Sequence, residues 1–126
     1  MRKKSVFVCL LCVICALLCA CGSTTGKYVT KKCTSNQFSS GFNMQYEYFD
    51  GYKVYEYALK ENCHVYINVE TEEGSLDVYV TDEDGKAYVD KRALAAEEYE
   101  FVAPSDGKYT FRFTAKKHCG SFDVSW

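Results

Sequence analysis

Histidine is scarce in this chain of 126 residues, which contains only His64 and His118. A hydrolase triad needs a base beside its nucleophile, and the serines of "EGSL" and "CGSF" lack the second glycine of a nucleophile elbow. The sequence also lacks a glycine-rich phosphate loop, and no pair of carboxylates stands out among its acidic residues. The sequence therefore predicts a noncatalytic protein that uses no cofactor.

An excess of positive charge is also missing. The chain has 15 Lys and Arg against 17 Asp and Glu, and three of the basic residues, Arg2, Lys3 and Lys4, stand at the very N-terminus. Nucleic-acid-binding proteins present a basic patch or stripe to the phosphates. The charge balance therefore argues against nucleic acid as the partner.

No apolar run is long enough for a permanent transmembrane helix, which needs about 20 residues. The longest run, "VFVCLLCVICALLCAC", covers residues 6–21. The basic residues before it and the small residues at its end are typical of a secretion signal peptide. We expect a signal helix at residues 1–20, with a plain transmembrane anchor as the alternative.

The end of this run, "LCAC" at residues 18–21, resembles the lipobox of bacterial lipoproteins. In that motif an aliphatic residue and two small residues precede an invariant cysteine. The resemblance implies cleavage before Cys21 and attachment of diacylglycerol and a fatty acid such as palmitate to the new N-terminus. It also implies a lipid anchor on the extracytoplasmic face of a cell membrane, with residues 21–41 as the lipidated tether.

The chain after the signal peptide has the composition of one folded domain of about 105 residues. All Phe and Tyr except Phe7 lie in this part, together with Trp126. Apolar and polar residues alternate from Phe42 onward, as in the stretch that contains Val65 and Ile67. Alternation with a period of two is the pattern of strands with one buried face.

Turn-forming clusters separate the alternating stretches: "FDGY" at 49–52, "KENC" at 60–63, "EEGS" at 72–75, "DEDGK" at 82–86, "APSDGK" at 103–108 and "AKKHCGS" at 115–121. Seven or eight short strands at this spacing predict an all-β fold, an antiparallel, jelly-roll-like β-sandwich over residues 42–126. The segment "KRALAAEE" at 91–98 is expected to be a loop or a single helical turn.

The segments "GSLDVYVTDEDGKAY" and "EEYEFVAPSDGKYTFRFTAKKHCGSFDVSW" resemble two β-sandwich patterns. One is the GOLD domain of secretory-pathway cargo receptors, and the other is the bacterial prepeptidase C-terminal domain. The resemblance covers residues 50–126 and implies a noncatalytic interaction module whose core contains Tyr109, Phe111 and Phe113. It implies no binding residue and no disulfide, because Arg112 lies where the cargo-receptor family has its strand cysteine.

Three cysteines, Cys33, Cys63 and Cys119, remain after the signal peptide and Cys21. An odd number allows at most one disulfide among them. Cys33 precedes the first predicted hairpin and can reach the end of the sandwich at which Cys63 opens a strand. Cys33–Cys63 is therefore the preferred pair, Cys63–Cys119 is the second, and free thiols are the alternative.

Two groups of residues have metal-binding side chains without metal-binding spacing. Cys63-His64 and His118-Cys119 offer the ligand types of zinc, but neighbouring residues on a strand point to opposite faces. The segment "DEDG" at 82–85 begins like a calcium loop and lacks the later glutamate. We expect surface histidines, a hairpin turn and no metal.

Several aromatic residues are expected on the outside of the sandwich. The inward register predicts that Phe49, Tyr66 and Tyr79 project outward, with Tyr52 and Tyr88 as further candidates. Outward aromatic rings can stack on sugars or anchor a protein contact. The alternative is that they only cover strands or pair across the sheet.

The sequence thus predicts a lipid-anchored, extracytoplasmic binding or scaffolding module for another exported protein. A carbohydrate-binding module that uses the outward aromatics is the first alternative. An accessory or inhibitor subunit of an envelope complex is the second.

Overall fold

The computed structural model describes residues 23–92 and 97–126, and every regular element in these two ranges is a strand. The strands are β1 (Ser23–Lys31), β2 (Thr34–Phe38), β3 (Gly41–Leu59), β4 (His64–Thr81), β5 (Ala87–Lys91), β6 (Glu97–Val102) and β7 (Gly107–Ser125). All pairs are antiparallel, and the sheet order is β1-β3-β7-β4-β5, with β2 added to β3 and β6 added to β4.

Three strands are unusually long, because each passes through a bend. β3 and β7 have 19 residues each and β4 has 18. Their pairing shifts register near the middle, where an extra residue forms a bulge and bends the strand. Rings from the two halves of one strand then stack on each other: Phe42 on Tyr55 at 3.8 Å and Phe113 on Phe122 at 4.0 Å between centroids. The sheet therefore folds back on itself, and the predicted antiparallel β-sandwich is confirmed.

The fold has two five-stranded layers that share the three long strands. The first layer contains β2, β6 and the segments 41–46 of β3, 64–71 of β4 and 120–125 of β7. The second layer contains β1, β5 and the segments 49–59 of β3, 75–81 of β4 and 107–118 of β7. The solvent side of each layer is called its outer face below, and the region where the long strands turn is called the bend.

The core lies between the layers and is built from the alternating apolar residues that the sequence predicts. Val65 and Ile67 of the first layer and Phe111 and Phe113 of the second are at most 1% exposed. Complete burial of one side chain of this size contributes about 1.5–3 kcal/mol. Apolar burial in both layers therefore holds the folded-over sheet closed.

Three of the predicted turns are wrong, because the glycine-containing clusters at 49–52, 72–75 and 115–121 lie inside β3, β4 and β7 at the bend. Gly74 shows why glycine is needed there. Its φ is +74°, and a Cβ at this position would collide with the carbonyl oxygen of Lys117. The glycines thus permit close approach of strands instead of ending them.

The turn at 82–86 is confirmed as the connection between β4 and β5. The Asp82 carboxylate accepts the backbone N–H groups of Asp84 at 2.9 Å and Lys86 at 3.0 Å. It also accepts the Tyr88 hydroxyl at 2.7 Å, and this hydrogen bond lowers the pKa of Asp82 and raises that of Tyr88 to about 12. The first carboxylate of "DEDG", that of Asp82, therefore stabilises a hairpin turn.

The predicted start of the sandwich at residue 42 is too late, because β1 and β2 already pair with β3. Backbone hydrogen bonds to β3 place the polar segment 23–38 in the sheet, although it lacks the apolar alternation of a typical strand. The signal segment 1–20, Cys21 and residues 93–96 of the predicted loop lie outside the described residues. Within the described ranges, no helix has the length and apolar character needed to cross a membrane.

One lysine of β3, Lys53, points into the space between the layers, and its strand is paired with β1 and β7 at this position. Lys53 is 7% exposed, and its Nζ lies 3.3 Å from Ser35 Oγ and 5.1–5.3 Å from the ring centroids of Tyr55 and Tyr28. Burial alone would lower the pKa of Lys53, but the two tyrosines outweigh burial and raise it. The ammonium is thus held inside the sandwich by Ser35 and the faces of two tyrosine rings.

Candidate functional site

A row of polar side chains crosses the first outer face at right angles to the strands. Its members are outward residues at matched register on five neighbouring strands: Asn36, Asn43, Asp123, Asn68 and Glu98. We call this row the polar ladder. Asn36 Nδ2 donates to Asn43 Oδ1 at 3.1 Å, whereas no hydrogen bond within the described ranges uses the side chains of Asn68 or Asp123. Amide and carboxylate groups of the ladder are therefore presented to solvent.

Tyr66 stands beside the polar ladder, two residues before Asn68 on β4. It is 52% exposed and lies opposite Ser125 of β7 and Glu100 of β6. A groove of about 280 Å³ runs between these side chains, and it is lined by Tyr66, Asn68, Glu98, Tyr99, Asp123 and Ser125. The groove thus combines an accessible aromatic ring with amide, hydroxyl and carboxylate groups.

The same face carries a second groove of about 400 Å³ on the other side of the ladder, towards the bend. Its walls include Gln45, Glu47, Glu70, Glu72 and Ser121. Glu70 follows Asn68 on the outward side of β4, so both grooves lie along the same pair of strands. The two grooves follow β4 from Tyr66 to Glu72, a distance of six strand residues or about 20 Å. An extended ligand can therefore contact both grooves.

The first outer face is strongly acidic, and Lys32 and His64 at its margins each have a carboxylate partner. Lys32 Nζ pairs with Glu47 at 3.3 Å, and His64 Nδ1 lies 2.8 Å from Glu100 Oε1. Both pairs are well exposed, so water and salt weaken the attraction within them. The carboxylates of the polar ladder, Asp123 and Glu98, have no such cation beside them in the described ranges.

The bend beneath the larger groove contains a buried histidine. His118 is 0% exposed; its Nδ1 is hydrogen-bonded to the Tyr46 hydroxyl at 2.6 Å and its Nε2 to Thr71 Oγ1 at 2.7 Å. Burial lowers the pKa of His118 and raises that of Tyr46. The expectation of a surface histidine is therefore wrong at this position. The imidazole joins the three long strands where they bend.

Tyr79 lies on the second outer face and is 40% exposed, so the structure places it on the opposite side of the sandwich from Tyr66. Its neighbour across β7 is Arg112, whose guanidinium lies 4.7 Å from the ring centroid of Tyr52. Tyr66 and Tyr79 therefore cannot belong to one binding site.

Phe49 and Tyr88 do not project outward, and these two expectations are wrong. Phe49 is 0% exposed and packs edge-on against Tyr46 and Tyr28. The bulge between Tyr46 and Phe49 adds one residue and turns Phe49 into the core. Tyr88 stacks on Phe101 with 5.7 Å between ring centroids, at the edge of the core.

The predicted Cys33–Cys63 disulfide is wrong, because Cys33, Cys63 and Cys119 are all free. Pairing of Thr34 with Gln45 places Cys33 at the bend. Cys63 precedes β4 at the far end of the first layer, eight residues or about 26 Å from Thr71 at the bend. A disulfide needs Cα atoms within about 7 Å.

The zinc hypothesis fails for the same reason, because His64 and Cys63 lie at one end of the first layer and His118 and Cys119 lie at the bend. In residues 23–92 and 97–126, no three His, Cys, Asp or Glu side chains are grouped as metal ligands. Burial raises the pKa of the Cys119 thiol, and Glu72 raises it further. This thiol therefore stays protonated near neutral pH.

The sequence alone does not predict the polar ladder or the Tyr52–Arg112 stack. Asn68 and Asp123 do show a signal, since each alternates with buried apolar neighbours and must point outward. Their alignment across five strands depends on the pairing register, which no single stretch of sequence contains.

Comparisons with known proteins find resemblance in structure only. The sequence matches no family model and no curated protein. A family 35 carbohydrate-binding module from Clostridium thermocellum aligns over 81% of this chain and 97% of its own, with 11% identity and a TM-score of 0.41. The C-terminal CBM6 of LamC, a laminarinase from Zobellia galactanivorans, gives 83% and 99% coverage, 8% identity and a TM-score of 0.43.

A third similar structure is the module CBM6cm-2 of the Cellvibrio mixtus lichenase 5A, in complex with cellotriose. It covers 82% of this chain and 96% of its own, with 12% identity and a TM-score of 0.41. Likenesses with TM-scores below 0.5 carry no argument about a ligand, which has to come from the surface chemistry of this chain.

Proposed function

We propose that this protein is a noncatalytic binding module whose first outer face binds a neutral glycan chain. The observation that carries the proposal is the polar ladder beside exposed Tyr66, with both grooves lying along the same two strands. An anionic polymer fits this face less well, because the ladder carboxylates Asp123 and Glu98 have no cation beside them in the described ranges.

The chemistry of the face matches that of a sugar. Each hydroxyl of a sugar donates one hydrogen bond and accepts others, and amides and carboxylates such as Asn68 and Asp123 supply acceptors and donors for it. The apolar side of a pyranose ring can lie on an aromatic ring, for which Tyr66 is accessible. Open grooves suit a chain that extends beyond the site at both ends.

The buried position of His118 keeps this residue out of contact with a ligand in the grooves. His118 is enclosed at the bend and hydrogen-bonded through both ring nitrogens. His64 pairs with Glu100, which lies opposite Tyr66 on the first outer face. The enclosed imidazole of His118 is therefore not placed to act as a general base on a ligand in the grooves.

The test is an array of neutral and acidic oligosaccharides, probed with the full chain and followed by calorimetry on the strongest neutral ligand. Tyr66→Ala should weaken that affinity about tenfold, the cost of about 1.4 kcal/mol of lost stacking. Tyr79→Ala is the matched control, since it removes a similarly exposed strand tyrosine from the other outer face. It should leave the affinity unchanged.

Two outcomes would contradict the proposal. One is an array on which no neutral glycan binds. The other is an equal loss of affinity in Tyr66→Ala and Tyr79→Ala, which would place the ligand elsewhere or show that neither ring contacts it. Thermal unfolding of both variants checks that each remains folded.

We further propose that the module is anchored to the extracytoplasmic face of a membrane through lipid on Cys21. The lipobox resemblance of "LCAC" supports this, and Cys21 itself lies outside the described residues. Cys21→Ser should release the protein from membranes or leave the signal uncleaved. Cys19→Ser is the matched control and should stay anchored, because serine is well accepted at that position of the motif. Membrane retention and unchanged mass in Cys21→Ser would refute the anchor.

The exported protein partner, and the alternative role as an accessory or inhibitor subunit, stay predictions. Co-purification of a stoichiometric envelope protein, lost on substitution of Val102 or another exposed apolar residue, would support them. Val102 is 41% exposed at the outer margin of β6.

A further inference from the structure

The second outer face carries a binding surface that the proposed glycan site does not use. Arg112 stands at its centre on β7, with Val54 of β3 on one side and Tyr79 of β4 on the other. Tyr52, next along β3, lies under the guanidinium at 4.7 Å. The row therefore presents a cation supported by one aromatic ring and flanked by a second.

Stacking on Tyr52 prepares Arg112 for a planar anion. A guanidinium held over an aromatic ring loses little further freedom when it binds, and its N–H groups remain in a plane that matches a carboxylate. Since Arg112 is exposed on the strand, these donors can be reached from solvent.

A groove of about 400 Å³ opens beside this arginine. Its walls include Asp77, Tyr79, Asp90, Arg112 and Thr114. Arg92 Nε lies 3.9 Å from Asp90 Oδ1, so the Asp90 charge is shared with a cation at the rim. The groove thus offers the Arg112 guanidinium, with Arg92 and Lys91 as further cations in its lining, one aromatic ring and several hydroxyl-binding oxygens.

The charges around the groove favour an anion. Lys108 and Lys116 lie on the outward side of β7 with Arg112, and Lys27 lies opposite Tyr52 on β1. Cations on the same face raise the local concentration of a polyanion and weaken the repulsion from the two aspartates.

We propose that the second outer face binds an acidic glycan, with a sugar carboxylate on Arg112 and a sugar ring against Tyr79. Thr114 and the aspartates contact the hydroxyls of the same sugar. A carboxylate alone would not use the aspartates, and a neutral sugar would not use the positive charge of the guanidinium. A sugar that carries a carboxylate uses both.

The test compares polygalacturonate with its fully methyl-esterified form, which is the same polymer without the charge. Calorimetry with the full chain should show binding of the acid and at least tenfold weaker binding of the ester. Arg112→Gln should reduce affinity for the acid at least tenfold. Lys108→Gln removes the same charge four residues away on the same strand and should cost no more than about twofold.

Tyr79→Ala provides an independent variant and should also reduce the affinity for polygalacturonate, whereas Tyr66→Ala should leave that affinity unchanged. Equal affinity for acid and ester would overturn the proposal, as would equal losses in Arg112→Gln and Lys108→Gln. Binding to vesicles of phosphatidylglycerol without binding to polygalacturonate would also overturn it, since the anion would then be a lipid headgroup.

Discussion

The two outer faces of the sandwich are made from the same three strands, yet they present opposite chemistry. β7 supplies Asp123 and Ser125 to the first outer face and Arg112 and Lys116 to the second. β4 supplies Asn68 to the first and Tyr79 to the second. The first outer face is acidic and rich in amides, whereas the second carries cations and a Tyr–Arg stack. One folded-over sheet can therefore display two unrelated surfaces.

The bulges at the bend change which residues of each long strand point outward, and so allow one strand to carry different chemistry on the two faces. On β4 the outward residues have even numbers before the bend, as in Tyr66 and Asn68, and odd numbers after it, as in Tyr79. On β7 the outward residues also have even numbers before the bend, as in Arg112, and odd numbers after it, as in Asp123. Each bulge adds one residue, and one residue moves every later side chain to the other side of its strand. The apolar residues stay inside in both layers for this reason.

The largest effect is expected at the bend, because both faces depend on it. Gly74→Ala should destabilise the fold by about 3 kcal/mol, since it combines a positive φ of +74° with a collision at the Lys117 carbonyl. Both glycan-binding activities should fall together. Thermal and urea unfolding measure the loss.

Gly85→Ala is the matched control for that substitution. Gly85 has a similar φ of +83°, but a Cβ there would meet nothing within 4 Å. Its cost should be limited to about 1–2 kcal/mol of backbone strain. Equal destabilisation by both substitutions would show that crowding at the bend adds nothing to the cost of Gly74→Ala.

A smaller effect, limited to one face, is expected from the polar ladder. Asp123→Ala removes a central hydrogen-bond acceptor of the polar ladder. It should reduce the affinity for the neutral glycan about tenfold and leave the affinity for polygalacturonate unchanged. Asp84→Ala removes the same charge from a hairpin turn remote from both faces and should change neither affinity. Calorimetry with both ligands makes the comparison, and weaker binding of both ligands in Asp123→Ala would show that the faces are not independent.

Acid should weaken the bend and both faces with it. The pKa of His118 is lowered in the folded protein, so its contribution to stability is complete above the ordinary histidine pKa of about 6.5 and is lost as pH falls below it. The unfolding midpoint should therefore drop from pH 7 to pH 5 more in the wild type than in His118→Gln. An equal drop in both proteins would assign the acid sensitivity to other groups.

The smallest effect is expected from the exposed pair of Lys32 and Glu47, whose side chains are 77% and 63% exposed. Lys32→Gln should change stability by less than about 1 kcal/mol and leave neutral glycan binding unchanged. Lys60→Gln, in the connection between β3 and β4, is the control for loss of a surface charge. A large loss of neutral glycan affinity in Lys32→Gln alone would show that Lys32 contacts the ligand instead of only pairing with Glu47.

The regular parts of the fold could be predicted from the sequence, because burial and period-two alternation are local. Val65 and Ile67 point inward as the pattern indicates, and the turn at 82–86 has its expected residues. The glycine clusters of the bend predict turns, because glycine is common both in turns and where strands approach closely. Only the partner strand shows that Gly74 faces the carbonyl of Lys117 instead of ending a strand.

The candidate site could be predicted only in part. Tyr66 and Tyr79 project outward as their alternation indicates, but which face each one belongs to depends on the number of residues in the bulges. Phe49 shows the same dependence, since one inserted residue moved it from the expected surface into the core. The polar ladder needs the register of five strands, which arises from long-range pairing.

The most direct measurement is an NMR titration of isotope-labelled protein with the strongest neutral glycan from the array, before and after saturation with polygalacturonate. We expect the neutral ligand to shift amides around Tyr66, Asn68 and Asp123 in both cases and to leave Arg112 and Tyr79 unmoved. Shifts centred on Arg112, or displacement of one ligand by the other, would contradict two separate faces with different ligands.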